Sequence, residues 1–270
     1  MGEARARRRA HAAILEKSPW CIYCGGETPA NTIDHMPPIQ MFLARQRPKG
    51  LEFPACNDCN QGTRHADLVA ALMGRMYPDA KGESAQQEVK KLLSAIANNI
   101  PGLLEEMEVG RAGQKLARRR IPNMPHDGGV LRANGPIVTR HMRMFGAKLG
   151  FAFHYEAHKT PIPIAGGVQP MYFTNVNAAR GELPMDLIAL LPEPKTLEQG
   201  SRTVSEQFKY SWALTAEHRH SVFYAVFNQA FAIVAFTAVD RTEFLDRSPE
   251  NYPVFIPGSL KAPSAVPNHI

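Results

Sequence analysis

The stretch CIYCGGETPANTIDHMPPIQ, residues 21–40, combines two cysteines, an Asp-His pair and two consecutive prolines. A second cysteine pair with the same spacing follows in PACNDCNQGTR, residues 54–64. The four cysteines of the chain are Cys21, Cys24, Cys56 and Cys59. The disulfides of a secreted scaffold would be spread over the fold that they stabilise, whereas these cysteines all lie in the first quarter of the chain. Their paired spacing predicts one tetrahedral zinc site with four thiolate ligands.

Length and composition are those of an ordinary globular protein. The chain has 270 residues, 44% of them hydrophobic and 21% charged, which is enough for one large domain or two smaller ones. No apolar run reaches the roughly 18 residues that span a bilayer. The basic N-terminus has no apolar stretch of signal-peptide length. We therefore expect a cytoplasmic protein without a membrane partner.

The net charge of +6 is concentrated in one part of the chain. Residues 110–150 contain nine Lys and Arg against a single acid, Asp127, whereas residues 66–109 and 151–270 are net negative. Such a block is typical of a surface that binds a polyanion, since each neutralised phosphate releases counterions. A solvated helix face is the alternative. The basic residues of the block are Arg111, Lys115, Arg118, Arg119, Arg120, Arg132, Arg140, Arg143 and Lys148.

Hydrophobic periodicity predicts a helical part followed by a β-rich part. The predicted helices cover residues 5–17, 60–76, 84–99 and 137–159, with Arg111, Lys115 and Arg118 on one face of a further helix. The predicted strands are 171–176, 207–215, 221–228 and 231–239, joined by hairpin turns at 216–220 and 228–230. The tail, 257–270, is predicted to be loosely ordered.

These elements predict an α+β fold. It comprises an N-terminal zinc-stapled motif, a helical middle and a C-terminal antiparallel sheet with helices. The predicted domains are residues 1–78, a basic helical connection over 79–136, and an α+β domain over 137–270.

The residues between and after the cysteine pairs resemble the HNH endonuclease family, in its four-cysteine branch. Asp34 and His35 follow the first pair, and Asn60 comes directly after the last cysteine. The resemblance covers residues 21–65, about a sixth of the chain. It implies a ββα-metal motif in which a closed, structural zinc pins a β-hairpin against the following helix.

The resemblance also implies a catalytic site. The carboxylate of Asp34 and the amide oxygen of Asn60 would hold Mg²⁺ or Mn²⁺, since hard oxygen donors suit a hard divalent ion. His35 would be the general base that activates water, because imidazole titrates near neutral pH. Arg64, four residues after Asn60, would contact phosphate from the same helix face.

One element of the family pattern is missing. Many members carry an Asn or Asp in the loop before the second cysteine pair, where it braces the loop that holds the histidine. The matching stretch here, RPKGLEFPAC at 47–56, contains neither at that place. Asn31, just before the Asp-His strand, is the candidate to brace the loop from the other side.

The predicted function is a metal-dependent endonuclease that hydrolyses phosphodiester bonds, with DNA favoured over RNA. Two alternatives stay open, a non-catalytic zinc-stabilised nucleic-acid-binding module and a zinc-stabilised protein-interaction domain. In these alternatives His35 is a surface histidine or a zinc ligand, and Asn60 caps a helix. The aromatic residues of the C-terminal strands are predicted to be core, with base stacking or a homodimer interface as alternatives. The other histidines, His11 among them, show no spacing that suggests a second site.

Overall fold

The computed structural model describes residues 2–76, 83–121, 129–245 and 252–261. Its helices and antiparallel strands confirm the predicted α+β class. The helices are α1 (Gly2–Lys17), α2 (Asn57–Gly62), α3 (Arg64–Gly74), α4 (Glu83–Asn99), α5 (Leu103–Met107), α6 (Arg111–Arg120), α7 (Pro136–His158), α8 (Asn175–Ala179), α9 (Met185–Ile188) and α10 (Thr242–Leu245). The strands are β1 (Thr32–His35), β2 (Glu52–Ala55), β3 (Gly167–Thr174), β4 (Glu198–Gln199), β5 (Arg202–Thr203), β6 (Phe208–Leu214), β7 (His220–Phe227) and β8 (Phe231–Ala238).

Strands β1 and β2 form an antiparallel hairpin between the two cysteine pairs. Their register places Asp34 opposite Phe53 and His35 opposite Glu52. Because successive side chains of a strand point to opposite faces, Asp34 and His35 lie on different faces of the hairpin. Asp34 is buried and His35 is half-buried.

The helix predicted from Asn60 to Met76 is in fact two helices, and the first begins earlier. Helix α2 starts at Asn57, where the Cys56 sulfur accepts a hydrogen bond from the Cys59 N–H. Thr63 separates α2 from α3, and its hydroxyl donates to the carbonyls of Cys59 and Asn60 at 3.1 and 3.2 Å. This hydroxyl competes with the helical hydrogen bonds and satisfies carbonyls at the end of α2. Arg64 therefore opens a new helix.

The C-terminal half contains a four-stranded antiparallel sheet in the order β3-β8-β7-β6. Strands β6, β7 and β8 are joined by consecutive hairpin turns, which confirms the predicted turns. Four phenylalanines of these strands are fully buried, as the core interpretation predicts: Phe208, Phe223, Phe227 and Phe231. Trp212 is only partly buried.

Helix α7 joins the cysteine region to the sheet, because it packs against α3, the segment at Ile22–Cys24 and strands β3 and β8. Phe151 of α7 contacts Tyr23 edge to face, and Phe145 contacts Phe227 in the same way. Gly150 allows α7 to approach the sheet closely, since a Cβ there would lie 2.4 Å from Val168 Cγ1. One hydrophobic core therefore runs from the cysteine region to the sheet.

Some expectations stay predictions. The break at residues 77–82, residues 122–128 of the loop at 121–136 and the tail after residue 261 lie outside the described residues. The proposed domain boundaries also stay predictions. Within the described ranges, the search for a helix of sufficient length and apolarity to cross a membrane found none.

Candidate metal centre and active site

The four cysteines converge in one buried cluster. Their Sγ atoms all lie within 4.8 Å of one another, and Cys24 Sγ is 3.4 Å from Cys59 Sγ and 3.7 Å from Cys56 Sγ. Four sulfurs at about 2.3 Å from a tetrahedral zinc would be roughly 3.8 Å apart. None of the four forms a disulfide. The cluster therefore has the size and the ligands to hold a structural metal ion such as zinc.

Local backbone conformation explains why each pair of cysteines points to one place. After Cys24 the chain turns through Gly25 and Gly26, whose φ angles of 68° and 79° favour glycine, and the Gly26 N–H bonds the Cys21 carbonyl. The second pair lies at the start of α2, with Cys56 at the helix cap and Cys59 in the first turn. Hydrogen bonding to Cys21 and Cys59 lowers the pKa of Cys24, whereas hydrogen bonding to Cys21 and Cys24 raises the pKa of Cys59.

Asp34 lies in a buried network of charges. Its Oδ2 accepts a hydrogen bond of 2.5 Å from the Tyr23 hydroxyl and lies 3.1 Å from the Lys148 ammonium. The same ammonium lies 2.7 Å from Asp67 Oδ2 in α3. Burial raises the pKa of Asp67 to about 6, against the opposing effect of Lys148. Burial lowers the pKa of Lys148, but the two carboxylates outweigh it and the net shift is upward.

Lys148 corrects one sequence expectation. The sequence places it in the basic block that could contact a substrate, but its side chain is completely buried. Its charge balances Asp34 and Asp67, and it is unavailable to a polyanion at the surface. The sequence carries no local signal for this role, because both acids are distant along the chain.

Asn60 approaches the same face of the hairpin as Asp34. Its Nδ2 donates to Thr32 Oγ1 at 3.3 Å, and Thr32 and Asp34 are two positions apart on β1. Among the described residues, neither the Asn60 side-chain oxygen nor Asp34 Oδ1 has a hydrogen-bond partner. Two hard oxygen donors are thus free on one side of the hairpin.

The loop between β1 and β2 is held by Arg47, not by an asparagine. Asn31 instead ties the hairpin to α2, since its Oδ1 accepts a hydrogen bond of 2.8 Å from the Asn57 N–H. The guanidinium of Arg47 donates to the backbone carbonyls of Met36, Pro37, Pro48, Gly50 and Leu51. One side chain therefore fixes the loop that follows His35, and no local pattern of residues indicates this role.

His35 belongs to a second cluster, on the opposite face of the hairpin. Its Nε2 lies 3.8 Å from Glu52 Oε1, and its ring centroid lies 5.8 Å from that of His11 in α1. Burial, assisted by the charge of Arg47, lowers the pKa of His35. Near neutral pH the imidazole is therefore the form that can accept a proton.

Sequence reasoning missed His11 and Glu52. The cross-strand register would have paired Glu52 with His35 once β1 and β2 were aligned. His11 had no such signal, because only the packing of α1 against the hairpin brings it there.

The predicted nucleic-acid contacts lie elsewhere. Arg64 is exposed at the start of α3, and its Nε donates to His65 Nε2 at 3.3 Å. Helix α6 presents exposed side chains at Arg111, Lys115, Arg118, Arg119 and Arg120. The side-chain amide of Gln114 donates to the Val130 carbonyl at 2.7 Å and accepts from the Val130 N–H at 2.8 Å. These two hydrogen bonds anchor α6 to the backbone of Val130. A polyanion-binding face and a solvated face both fit this arrangement.

Comparison of the chain with protein-family models, with curated proteins and with solved structures gave no match. The resemblance to HNH endonucleases therefore rests on the residues at 21–65.

Proposed function

We propose that this protein is a metal-dependent endonuclease of the HNH type that hydrolyses phosphodiester bonds in nucleic acid, with DNA preferred to RNA. The observation that carries the proposal is the order of elements around the cysteine cluster. The hairpin β1–β2 and helix α2 are joined by four buried thiols, and the hairpin bears Asp34 and His35 while the helix bears Asn60.

The cysteine cluster would hold zinc in a purely structural role. Four thiolates complete a tetrahedral coordination shell and leave no position for water or substrate. The hairpin strands have only four residues each, and an isolated two-stranded hairpin is at best marginally stable in water. A metal that links both cysteine pairs would fix the hairpin against α2.

The free oxygens of Asp34 and Asn60 fit the donor set of a hard divalent ion such as Mg²⁺ or Mn²⁺. When bound, such an ion supplies charge that polarises the scissile phosphate and stabilises the leaving oxygen. Lys148 and Tyr23 both contact Asp34 Oδ2, so they orient the carboxylate while Oδ1 stays free. Thr32 orients the Asn60 amide in the same way, through its nitrogen.

His35 would take a proton from the attacking water. Its lowered pKa keeps the imidazole neutral before reaction. Glu52 lies close enough to stabilise the imidazolium that forms when the proton is taken up. Arg47 holds the loop after His35 and so fixes where β1 ends.

The exposed cations of the molecule would supply affinity for nucleic acid. Arg64 opens α3 and is separated from Asn60 by the break at Thr63, so it does not continue the helix face of Asn60 as expected. Helix α6 carries five exposed Lys and Arg side chains without an acid among them. Contacts of this kind neutralise phosphates irrespective of sequence, and binding then weakens with salt.

The test is nicking of supercoiled plasmid in Mg²⁺ or Mn²⁺. We expect the wild-type chain to cut, and His35→Ala to be inactive while it keeps its fold and its zinc. Asn60→Ala should also lose cutting, and raised Mn²⁺ should recover part of it. The matched control is His218→Ala, because His218 is exposed in the turn between β6 and β7.

Each other outcome has a distinct meaning. Unchanged cutting by His35→Ala would refute the assigned base. Binding of DNA by the wild type without cutting would favour the non-catalytic binding module. Absence of binding at low salt would favour the protein-interaction domain.

A further inference from the structure

We infer that His11, His35 and Glu52 form a second metal site, suited to a divalent transition ion such as Zn²⁺ or Co²⁺, and that an ion bound there blocks His35 as a proton acceptor. The binding site itself is independent of the proposed nuclease activity. Only the blocking effect rests on that function.

The three ligands come from three elements that pack together. His11 lies on α1, His35 at the end of β1 and Glu52 at the start of β2. One nitrogen of each imidazole and one carboxylate oxygen all lie within 4.8 Å of one another. All three side chains are half-buried, so an ion could reach the site while its ligands stay ordered.

The distances between the ligand atoms are close to those around a bound ion. Ligand atoms at about 2.0–2.2 Å from a tetrahedral zinc would be roughly 3.4 Å apart. His35 Nε2 and Glu52 Oε1, at 3.8 Å, are nearly at that separation and too far apart for a hydrogen bond. A shift of the side-chain ends by about 1 Å, within reach of rotation about their side-chain bonds, would close the set.

The donor types select the class of ion. Two imidazoles and a carboxylate suit zinc, cobalt, nickel or iron, whereas Mg²⁺ prefers oxygen ligands and water. Three protein ligands also leave a coordination position for water, unlike the four thiolates. The charge of Arg47 opposes a cation here, but five backbone carbonyls surround its guanidinium and Glu52 offsets it.

The site has a direct consequence for the proposed chemistry. A metal ion bound to a ring nitrogen of His35 occupies a lone pair that would otherwise accept the proton of water. Zn²⁺ or Co²⁺ bound at this face would therefore inhibit cutting, while Mg²⁺ at Asp34 and Asn60, on the other face, would support it. The two faces of one hairpin would respond to two classes of ion in opposite ways.

The first experiment measures binding without reference to activity. The full chain, with its cysteine site loaded with zinc, is titrated with Co²⁺ in excess Mg²⁺ and followed by visible absorption. We expect one further Co²⁺ per chain, with a spectrum of nitrogen and oxygen ligation and no thiolate charge-transfer band. His11→Ala and Glu52→Gln should weaken this binding by more than about tenfold, since even loss of an outer partner of a metal ligand has that effect.

Two controls isolate the site. His218→Ala and Asn60→Ala should bind the further Co²⁺ as the wild type does, because neither residue belongs to the cluster. Equal Co²⁺ binding by His11→Ala and wild type would overturn the site. So would a wild type that binds Co²⁺ only in exchange for the zinc of the cysteines.

The second experiment measures nicking in Mg²⁺ with increasing Zn²⁺, as the ratio of activities with and without Zn²⁺ in each variant. Half-inhibition of the wild type should coincide with occupancy of the site, and His11→Ala should need more than about tenfold higher Zn²⁺. A chain that binds Co²⁺ but never nicks would refute the proposed function and leave the site standing. A chain that nicks and binds Co²⁺ but resists Zn²⁺ would overturn the blocking effect.

Discussion

The cysteine hairpin (residues 21–62) and the four-stranded sheet (β3, β6, β7 and β8) are both antiparallel, but they hold their shape by different means. The hairpin strands have four residues each, whereas the strands of the sheet have seven or eight. In the sheet, Phe227 stacks on Phe231 and Phe208 with ring centroids 4.6 and 5.3 Å apart. The hairpin has no aromatic stack of this kind among its described residues, and its two ends meet at four thiols.

The difference shows where burial of apolar surface suffices and where a bound ion is needed. Each buried phenylalanine of the sheet contributes about 2 kcal/mol or more through its removal from water. The hairpin also buries apolar side chains, such as Phe42 and Phe53, but it buries four thiols and Asp34 among them, and these groups are costly to bury without a partner. The sheet should therefore be stable without metal, and the hairpin should not.

Removal of the thiols should have the largest effect on stability, and the loss of structure should be confined to residues 21–62. We expect Cys24→Ser with Cys59→Ser to abolish zinc binding, which in structural sites is worth about 10–16 kcal/mol of apparent free energy. Metal content by native mass spectrometry and hydrogen exchange by peptide should show that residues 21–62 lose protection while β6–β8 keep theirs. Chelation of the wild type serves as a control. Equal loss of protection in the sheet would mean that the two regions unfold as one.

Lys148 tests the connection between the regions. We expect Lys148→Met to lower the free energy of unfolding by about 3–5 kcal/mol, because it leaves Asp34 and Asp67 buried without their counter-charge. Urea denaturation measures this, with Lys209→Met, at an exposed position of β6, as the matched control.

Addition of Asp67→Asn to Lys148→Met should restore part of the loss, since it removes one of the unpaired charges. If Lys148→Met were as stable as Lys209→Met, the buried network would have no part in joining the regions.

The pH dependence of stability tests the sheet side of α7. His154 Nδ1 lies 3.0 Å from Thr237 Oγ1 of β8, and burial, with a smaller effect of His158, lowers the pKa of His154 to about 3. In the unfolded chain the pKa is about 6.5, so below that pH the unfolded state binds the proton first. The contribution of His154 to the free energy of unfolding should be fully present above pH 6.5 and smaller by about 2 kcal/mol at pH 5. This contribution should be completely lost near pH 3.

The measurement is the free energy of unfolding in urea between pH 7 and pH 5. His154→Gln should reduce the slope, whereas the exposed His218→Gln should keep it. A slope unchanged by His154→Gln would show that this imidazole does not stay neutral on folding.

Patterns among residues that are close together in the sequence made most of the fold predictable. The β-branched and aromatic runs placed β6, β7 and β8 and their turns, because strand pairing in consecutive hairpins depends on near neighbours in sequence. The strand predicted at 171–176 is shifted, since β3 covers Gly167–Thr174 and a short helix begins at Asn175. The spacing of the cysteines predicted the cluster, because each pair lies in one turn of chain. The break at Thr63 was missed, since a single hydroxyl decides it.

The parts of the site that depend on distant packing were not predictable. Lys148 had the appearance of one more surface cation in a basic block, and only the docking of α7 shows its partners. His11 and Arg47 were missed for the same reason, since their contacts depend on the position of α1 and on the path of a loop. The roles of Asp34, His35 and Asn60 stay predictions.

The position of Lys148 along the chain has a consequence for the order of synthesis. Lys148 lies 81 residues after Asp67, so a ribosome completes the cysteine hairpin and α3 well before it adds the counter-charge that they require. Until α7 emerges from the ribosome, Asp34 and Asp67 have no ammonium group between them. The N-terminal region therefore reaches its full stability only after α7 has been made. The proposed active site would in this way be completed only when more than half of the chain has been made.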